Sequence, residues 1–443
     1  MAPLQGYRFE AARVSVGQTE PASSMDKYES AQRAAAGSRR FHTMAKPAGS
    51  TCNLDCKYCF YLSKETLSGG PGTGVMSDAT LEAFVRQYIE GNTGPEVVFT
   101  WQGGEPMLRG LPFYRRVVEL QKQYAKPGQR IENDLQTNGV LIDEEWAAFL
   151  KQNRFLVGLS IDGPRDVHDA YRINKGGAPT FDKVMAAANL LRKARVPFNT
   201  LTCVHRLNGR RPLDVYRFLR NELDSRTIQF SPVVQIREFE TKSIGALPAA
   251  RMPVLGSAEA KPGHADSIVT DWSVDPDDYG YFLSRVFDEW LRKDVGRVFV
   301  NQIETLISQH AGLGSQMCIY GEYCGKAVAI EHDGSVYSCD HFVYPEYKIG
   351  STADGSLADL VFSNQQIRFG FAKSDNLPQF CRNCAFLSDC WGECPRNRIL
   401  RTPDGEPGLN YLCAGLRKFY AHAMSDVERL AKAVRTRTPF PAR

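Results

Sequence analysis

The chain of 443 residues is long for one ordinary domain, and its formal net charge of only +4, with 23% charged residues, gives no bulk electrostatic ground for nucleic-acid or membrane binding. A hydrophobic content of 43% fits a globular protein with a sizeable core, and no apolar run approaches the roughly 18 residues of a membrane span. Twelve cysteines, without a secretory signal or a short disulfide-rich frame, point to metal ligation in a reducing compartment and hence to a cytoplasmic protein.

Residues 1–40 are rich in Ala, Ser, Arg and Gln and lack a sustained apolar period, so they read as a disordered tail or as a mis-assigned start ahead of Met25 or Met44. Arg8, Arg13, Arg33, Arg39 and Arg40 resemble a transit peptide, but Glu10, Glu20, Asp26 and Glu29 dilute that signal. From Phe41 to about Val234, β-type runs (HTMAKPA, 96–101, 131–137, 155–161, 196–204 and 227–233) alternate with helix-period stretches (77–90, 112–124, 143–152, 181–194 and 212–223). Such alternation predicts parallel strands with right-handed crossovers, hence an α/β fold built as a partial (β/α)6 barrel over 41–240. Its ligands belong at the carboxyl ends of the strands.

The loop after the first strand holds Cys52, Cys56 and Cys59 as C-x3-C-x2-C. Three thiolates at this spacing can hold a four-iron cluster and leave one iron open for chemistry, whereas a zinc site wants a fourth N or S donor and the loop offers only Asn53, Asp55, Lys57 and aromatic residues. Cys203, inside the run 196–204, reads as a small buried hydrophobe.

Residues 241–310 read as a linker and connecting helices: a Pro-, Ala-, Gly- and Ser-rich excursion, then a helix with an apolar stripe at Tyr279, Phe282, Leu283, Val286, Phe287 and Trp290. Residues 311–413 hold eight cysteines, Cys318, Cys324, Cys339, Cys381, Cys384, Cys390, Cys394 and Cys413, with little regular period, as expected of a small cysteine-rich domain organised by metals. Eight ligands suit two four-thiolate sites; spacing alone leaves zinc open, and the upstream triad favours iron. Residues 414–443 read as a C-terminal helix and tail.

Taken together, MAKPAGSTCNLDCKYCFYL, WQGGEP, LQTNG, GLSIDGPRDVHDAYR, CIYGEYCGKAVAIEHDGSVYSCDHF, FCRNCAFLSDCWGECPRNR and GLNYLCAG closely resemble the anaerobic sulfatase-maturating enzymes, radical S-adenosylmethionine (SAM) proteins with a SPASM-type twin-cluster C-terminal domain. The resemblance implies three 4Fe-4S clusters and SAM as cofactors. It assigns Cys52, Cys56 and Cys59 to the SAM cluster with Tyr58 beside it, Gly103, Gly104 and Glu105 to the SAM amino group, and Ser160 and Arg172 to its ribose and carboxylate. Val234, or Val233, would meet the adenine. It divides the eight downstream cysteines into Cys318, Cys324, Cys339 and Cys394, and Cys381, Cys384, Cys390 and Cys413, and makes Asp340 the base; Tyr61 would position substrate by analogy, and His332 and His341 receive no role. Trp391 and Glu393 depart from a stretch that is often small and Gly-rich in relatives.

The implied reaction is oxidation of a sulfatase Cys or Ser, in a Cys/Ser-x-Pro-x-Arg motif, to Cα-formylglycine, with a reducing donor such as flavodoxin or ferredoxin as the other partner. The alternatives are a radical SAM maturase that crosslinks a ribosomally made peptide, and a zinc-stabilised binding module.

Overall fold

The computed structural model describes residues 38–61, 64, 74–239, 247–438 and 440, so most of the expected N-terminal tail lies outside the described residues. The six strands expected from the sequence are present as β1 (His42–Ala45), β2 (Glu96–Trp101), β3 (Arg130–Thr137), β4 (Leu156–Ser160), β5 (Phe198–Val204) and β6 (Thr227–Pro232), paired in chain order and all parallel. Helices Asp78–Gly91, Gly110–Tyr124, Glu144–Gln152 and Phe181–Ala194 fill the crossovers, and a short helix, Arg165–Tyr171, was not legible as a separate element. Ser77 caps the first of them by accepting the N–H of Thr80 at 3.1 Å.

Alternation along the strands separates two faces. Val97, Phe99 and Trp101 of β2 are buried against Phe84, Phe113 and Tyr114 of the flanking helices. The opposite, half-buried face carries Thr100, Gln136, Ser160, Cys203, Gln229 and Ser231. A polar inner face is what a barrel needs if it encloses a site rather than a packed core. Cys203, which reads as a small buried hydrophobe in the sequence, lies half-buried on this polar inner face, 3.8 Å from Arg172 Nη2.

The sheet extends past the barrel at both edges. β7 (Phe299–Val300) adds to β6, and β8 (Ala327–Ile330), from the cysteine-rich region, pairs in parallel with β1. β9 (Ser335–Tyr337) and β10 (Lys348–Ser351) then continue antiparallel, giving one ten-stranded order β10-β9-β8-β1-β2-β3-β4-β5-β6-β7. The cysteine-rich region is therefore hydrogen-bonded to the first barrel strand, with Ala45 opposite Ile330.

The apolar stripe expected at Tyr279, Phe282, Leu283, Val286, Phe287 and Trp290 is buried on helix Pro276–Lys293, which packs along the terminal helix Cys413–Thr436. The two backbones approach so closely that a Cβ at Gly415 would fall on the carbonyl oxygen of Pro276 and one at Gly280 on that of Gly415. Gly415→Ala should therefore destabilise the protein by about 1–3 kcal/mol through overpacking, read as a lowered unfolding midpoint. A parental midpoint would show that the helices can separate without loss.

Candidate active site

The triad loop is held from two sides. Asp55 and Lys57 donate their N–H groups to the carbonyls of Ile173 and Tyr171, and the N–H groups of Gly104 and Glu105 reach the carbonyls of Gly49 and Thr51, each at 2.8–3.0 Å. Only glycine fits at 104, because a Cβ there would run into the Thr51 carbonyl, and Gly103 has φ +128°. The GGEP backbone thus clamps the cysteine loop. Glu105 is fully buried, and its carboxylate accepts from the N–H of Met107 (3.0 Å), the Thr137 hydroxyl (2.8 Å) and the N–H of Asn138 (2.9 Å). It ties the carboxyl ends of β2 and β3 together, and burial raises its pKa to about 7 against those three donors.

Within the loop, Cys52 Sγ accepts the Leu54 N–H at 3.4 Å and lies 3.8 Å from Asn138 Nδ2. Burial pushes the Cys52 thiol up to about 11 and Cys56 higher still; beyond burial, Cys59 raises both and Cys52 raises Cys56. The three sulfurs are therefore electrostatic neighbours. Among the described residues no three His, Cys, Asp or Glu side chains close on a common point as the donors of a single ion would. Clustered soft thiols with an open spacing fit an iron–sulfur cage, which would spread and neutralise their charge.

Next to the triad is a buried polar knot centred on Asp162, just beyond β4, which sequence reasoning passed over inside SIDGP. Its carboxylate lies 3.0 Å from Arg172 Nε, in an alignment too poor for a hydrogen bond, and accepts the Tyr58 hydroxyl and the Cys203 N–H (3.0 Å). Burial alone would raise Asp162, yet Arg172, His205 and His168 together hold its carboxyl below the ordinary range. Arg172 also lies 3.8 Å from Cys203 Sγ and stands over the Tyr58 ring, which stacks on His205. The guanidinium expected at a SAM carboxylate thus has Asp162 as its counter-charge, and Asp162 was legible only by its place at the end of a barrel strand.

Ser160, at the tip of β4, accepts from Gln136 Nε2 at 2.9 Å on the polar inner face. Val234 is 1% exposed within the apolar core, and its carbonyl accepts from Arg396 Nη1 at 2.9 Å, a contact between the barrel and the cysteine-rich region.

The eight downstream cysteines fall into two neighbourhoods. Burial raises the pKa of Cys324, Cys339 and Cys394, and after burial Cys318 raises all three and Cys394 raises Cys339. Separately, Cys384 raises Cys381, Cys381 and Cys384 raise Cys413, and Cys413 and Cys381 raise Cys390. Between them lies Arg398, buried and donating to the carbonyls of Gly392 (3.1 Å), Lys373 (2.7 Å) and Trp391 (2.8 Å). Lys373, 1% exposed, donates to the carbonyls of Cys318 and Ile319 at 2.9 Å and to that of Gly321. Buried cations that bond to carbonyls beside thiols suit sites that become anionic when filled.

The departure at Trp391 and Glu393 has a backbone cost: residues 391–393 are three successive left-handed positions, φ +46°, +66° and +49°. Hydrogen bonds from Asn410 (2.7 Å) and Asn397 (3.0 Å) to the Glu393 carboxylate offset part of it.

Asp340 follows Cys339 and opens a short helical turn. It forms an ion pair with Lys46, the residue after β1; the two side chains are 16% and 2% exposed. Burial would raise Asp340, but Lys46 and then His341 hold it below the ordinary carboxylate range, so it is ionised. The Tyr61 hydroxyl donates to Glu331 and its ring underlies Lys46 Nζ at 4.7 Å. His341 Nδ1 lies 3.3 Å from Cys394 Sγ.

An open parallel barrel with a thiol triad at its first loop, continued by a cysteine-rich lobe, defines a radical SAM protein with an auxiliary iron–sulfur domain. The model of the radical SAM superfamily matches residues 47–219, and that of the SPASM iron–sulfur cluster-binding domain matches residues 318–385. A serine-type anaerobic sulfatase-maturating enzyme of Bacteroides thetaiotaomicron is 43% identical over 393 residues, 88% of this chain and 91% of that one. A cysteine-type enzyme of Clostridium perfringens is 33% identical over 394 residues, 88% of this chain and 98% of that one. The solved structure of native anSMEcpe with bound AdoMet and Cp18Cys peptide superposes with a TM-score of 0.75 at 32% identity, covering 89% of this chain and 99% of that one. The chain belongs to the anaerobic sulfatase-maturating enzymes of the radical SAM superfamily.

The Glu105 knot carries a pH signature. Its folded pKa is raised from 4.5 to about 7, so its contribution to stability is full below pH 4.5 and is lost as pH rises through about 7. Glu105→Gln should flatten the fall of the chemical-denaturation midpoint across that window. An unchanged pH slope would assign the proton uptake elsewhere.

Proposed function

We propose that this chain oxidises a Cys or Ser of a sulfatase polypeptide, in a Cys/Ser-x-Pro-x-Arg motif, to Cα-formylglycine. The reading rests on one juxtaposition above all: Asp340, from the cysteine-rich region, pairs with Lys46 at the end of the strand that leads into the triad, which brings a carboxylate to the start of the cysteine loop. Cys52, Cys56 and Cys59 would hold the SAM cluster; Cys318, Cys324, Cys339 and Cys394, and Cys381, Cys384, Cys390 and Cys413, would hold the two auxiliary clusters. SAM bound at its cluster would supply a carbon radical able to take one hydrogen atom from the target Cβ, and the auxiliary clusters would supply a sink for the remaining electron.

The chain's own residues do the rest. Tyr58, Gly103, Gly104, Glu105, Ser160, Arg172 and Val234 form the SAM pocket, with Asp162 holding Arg172 and Tyr58 in place. Asp340 takes the proton of the target thiol or hydroxyl, as the carboxylate that the Lys46 pair holds at the end of the first strand. Loss of one hydrogen atom, one proton and one electron leaves the aldehyde from Ser, or a thioaldehyde from Cys that water converts with release of sulfide. A reducing donor such as flavodoxin or ferredoxin supplies the initiating electron in the cytoplasm. Among the described residues no helix is long and apolar enough to cross a membrane.

Reconstituted protein should bind about twelve irons per chain, and replacing Cys52, Cys56 and Cys59 together by Ala should remove about four. A total near four irons, or stoichiometric zinc, would remove the twin-cluster assignment. Anaerobic incubation with SAM, reductant and paired Cys and Ser motif peptides should give the aldehyde by mass spectrometry, and Asp340→Asn should still form 5′-deoxyadenosine while yielding little aldehyde. Crosslinked peptide with its sulfur retained would instead move the assignment to a peptide-crosslinking maturase.

A further inference from the structure

Lys46 is a buried ammonium where the first barrel strand meets the cysteine-rich region. Its backbone N–H donates to the Ile330 carbonyl at 2.8 Å, so the β1–β8 ladder fixes where it starts. Its stem runs along Gly103, where an added Cβ would stand 3.3 Å from Lys46 Cδ, and its Nζ lies over the Tyr61 ring. At 2% exposure such a charge requires a partner, and the partner it has is Oδ1 of Asp340. Glu331, the other carboxylate at hand, is bound by the Tyr61 hydroxyl.

We infer that Lys46 is a positioning residue for the oxidation: by gripping Oδ1 it orients the Asp340 carboxylate so that Oδ2 receives the substrate's proton as the hydrogen atom leaves Cβ. This rests on the reading of Asp340 as the base. The neighbouring cations, Lys64 and Arg396, lie near the same turn, but Lys46 makes the direct bond and has its reach set by the sheet. An ion pair that only docked the two regions would need no link to proton transfer. A positioning role requires that losing Lys46 uncouple hydrogen abstraction from aldehyde formation, since small misplacements of a reacting group are costly.

The test is a double-mutant cycle in the reconstituted holoenzyme, reading iron content, 5′-deoxyadenosine and aldehyde. Lys46→Met should keep the parental iron and 5′-deoxyadenosine yet lower aldehyde formation about a hundredfold, Lys46→Arg should recover part of the loss, and Lys46→Met placed on Asp340→Asn should cost nothing more. Parental coupling in Lys46→Met, additive losses in the double variant, or equal loss of iron in both Lys46 variants would overturn the inference. If Asp340→Asn itself formed aldehyde at the parental rate, the reading of Asp340 would fail first; an inactive Asp340→Asn beside a parental Lys46→Met would fail Lys46 alone.

Discussion

The parallel pairing of β8 with β1 is the constraint on which the rest of the molecule depends. It makes one sheet of two regions that are far apart in sequence, and it sets Ala45 opposite Ile330, so Lys46 leaves the sheet beside the end of β8 and its side chain reaches Asp340 beyond β9. Backbone ladders are rigid and directional, which is why a single strand pairing can fix the relative position of chemical groups that two domains joined by a linker alone would leave free.

Around that frame, polar burial is arranged by use. Glu105 spends its carboxylate on three donors within the fold, and Asp162 gathers Arg172, Tyr58 and the Cys203 N–H beside the triad. Arg398 and Lys373 point their donors at carbonyls beside the eight downstream cysteines. Each arrangement follows one rule: a buried charge or polar group persists only when its partners are built in. The barrel's inner face extends the same logic, since Thr100, Gln136, Ser160 and Ser231 would be poor choices for a packed core.

The left-handed run at 391–393 shows a different balance. Trp391 and Glu393 occupy backbone positions that glycine adopts more easily, and Glu393 is kept there by hydrogen bonds from two asparagines. Strain of this kind is tolerated where the surroundings over-determine the chain, as they do between two sets of cysteines.

By itself the sequence determined the strand and helix alternation, the apolar stripe of helix Pro276–Lys293 and the spacing of the cysteine triad, because each is written in local spacing. It missed Asp162 and read Cys203 as a small buried hydrophobe, because one residue of register decides which face of a strand a side chain takes and hence that Cys203 lies beside Arg172. Only the tertiary structure decided that Arg172 has Asp162 as its counter-charge, that the eight cysteines gather as two neighbourhoods, and that Lys46 meets Asp340 across a separation of 294 residues. The physical reason is that charge pairing and thiol proximity are set by distances through space, and those were fixed when β8 joined β1.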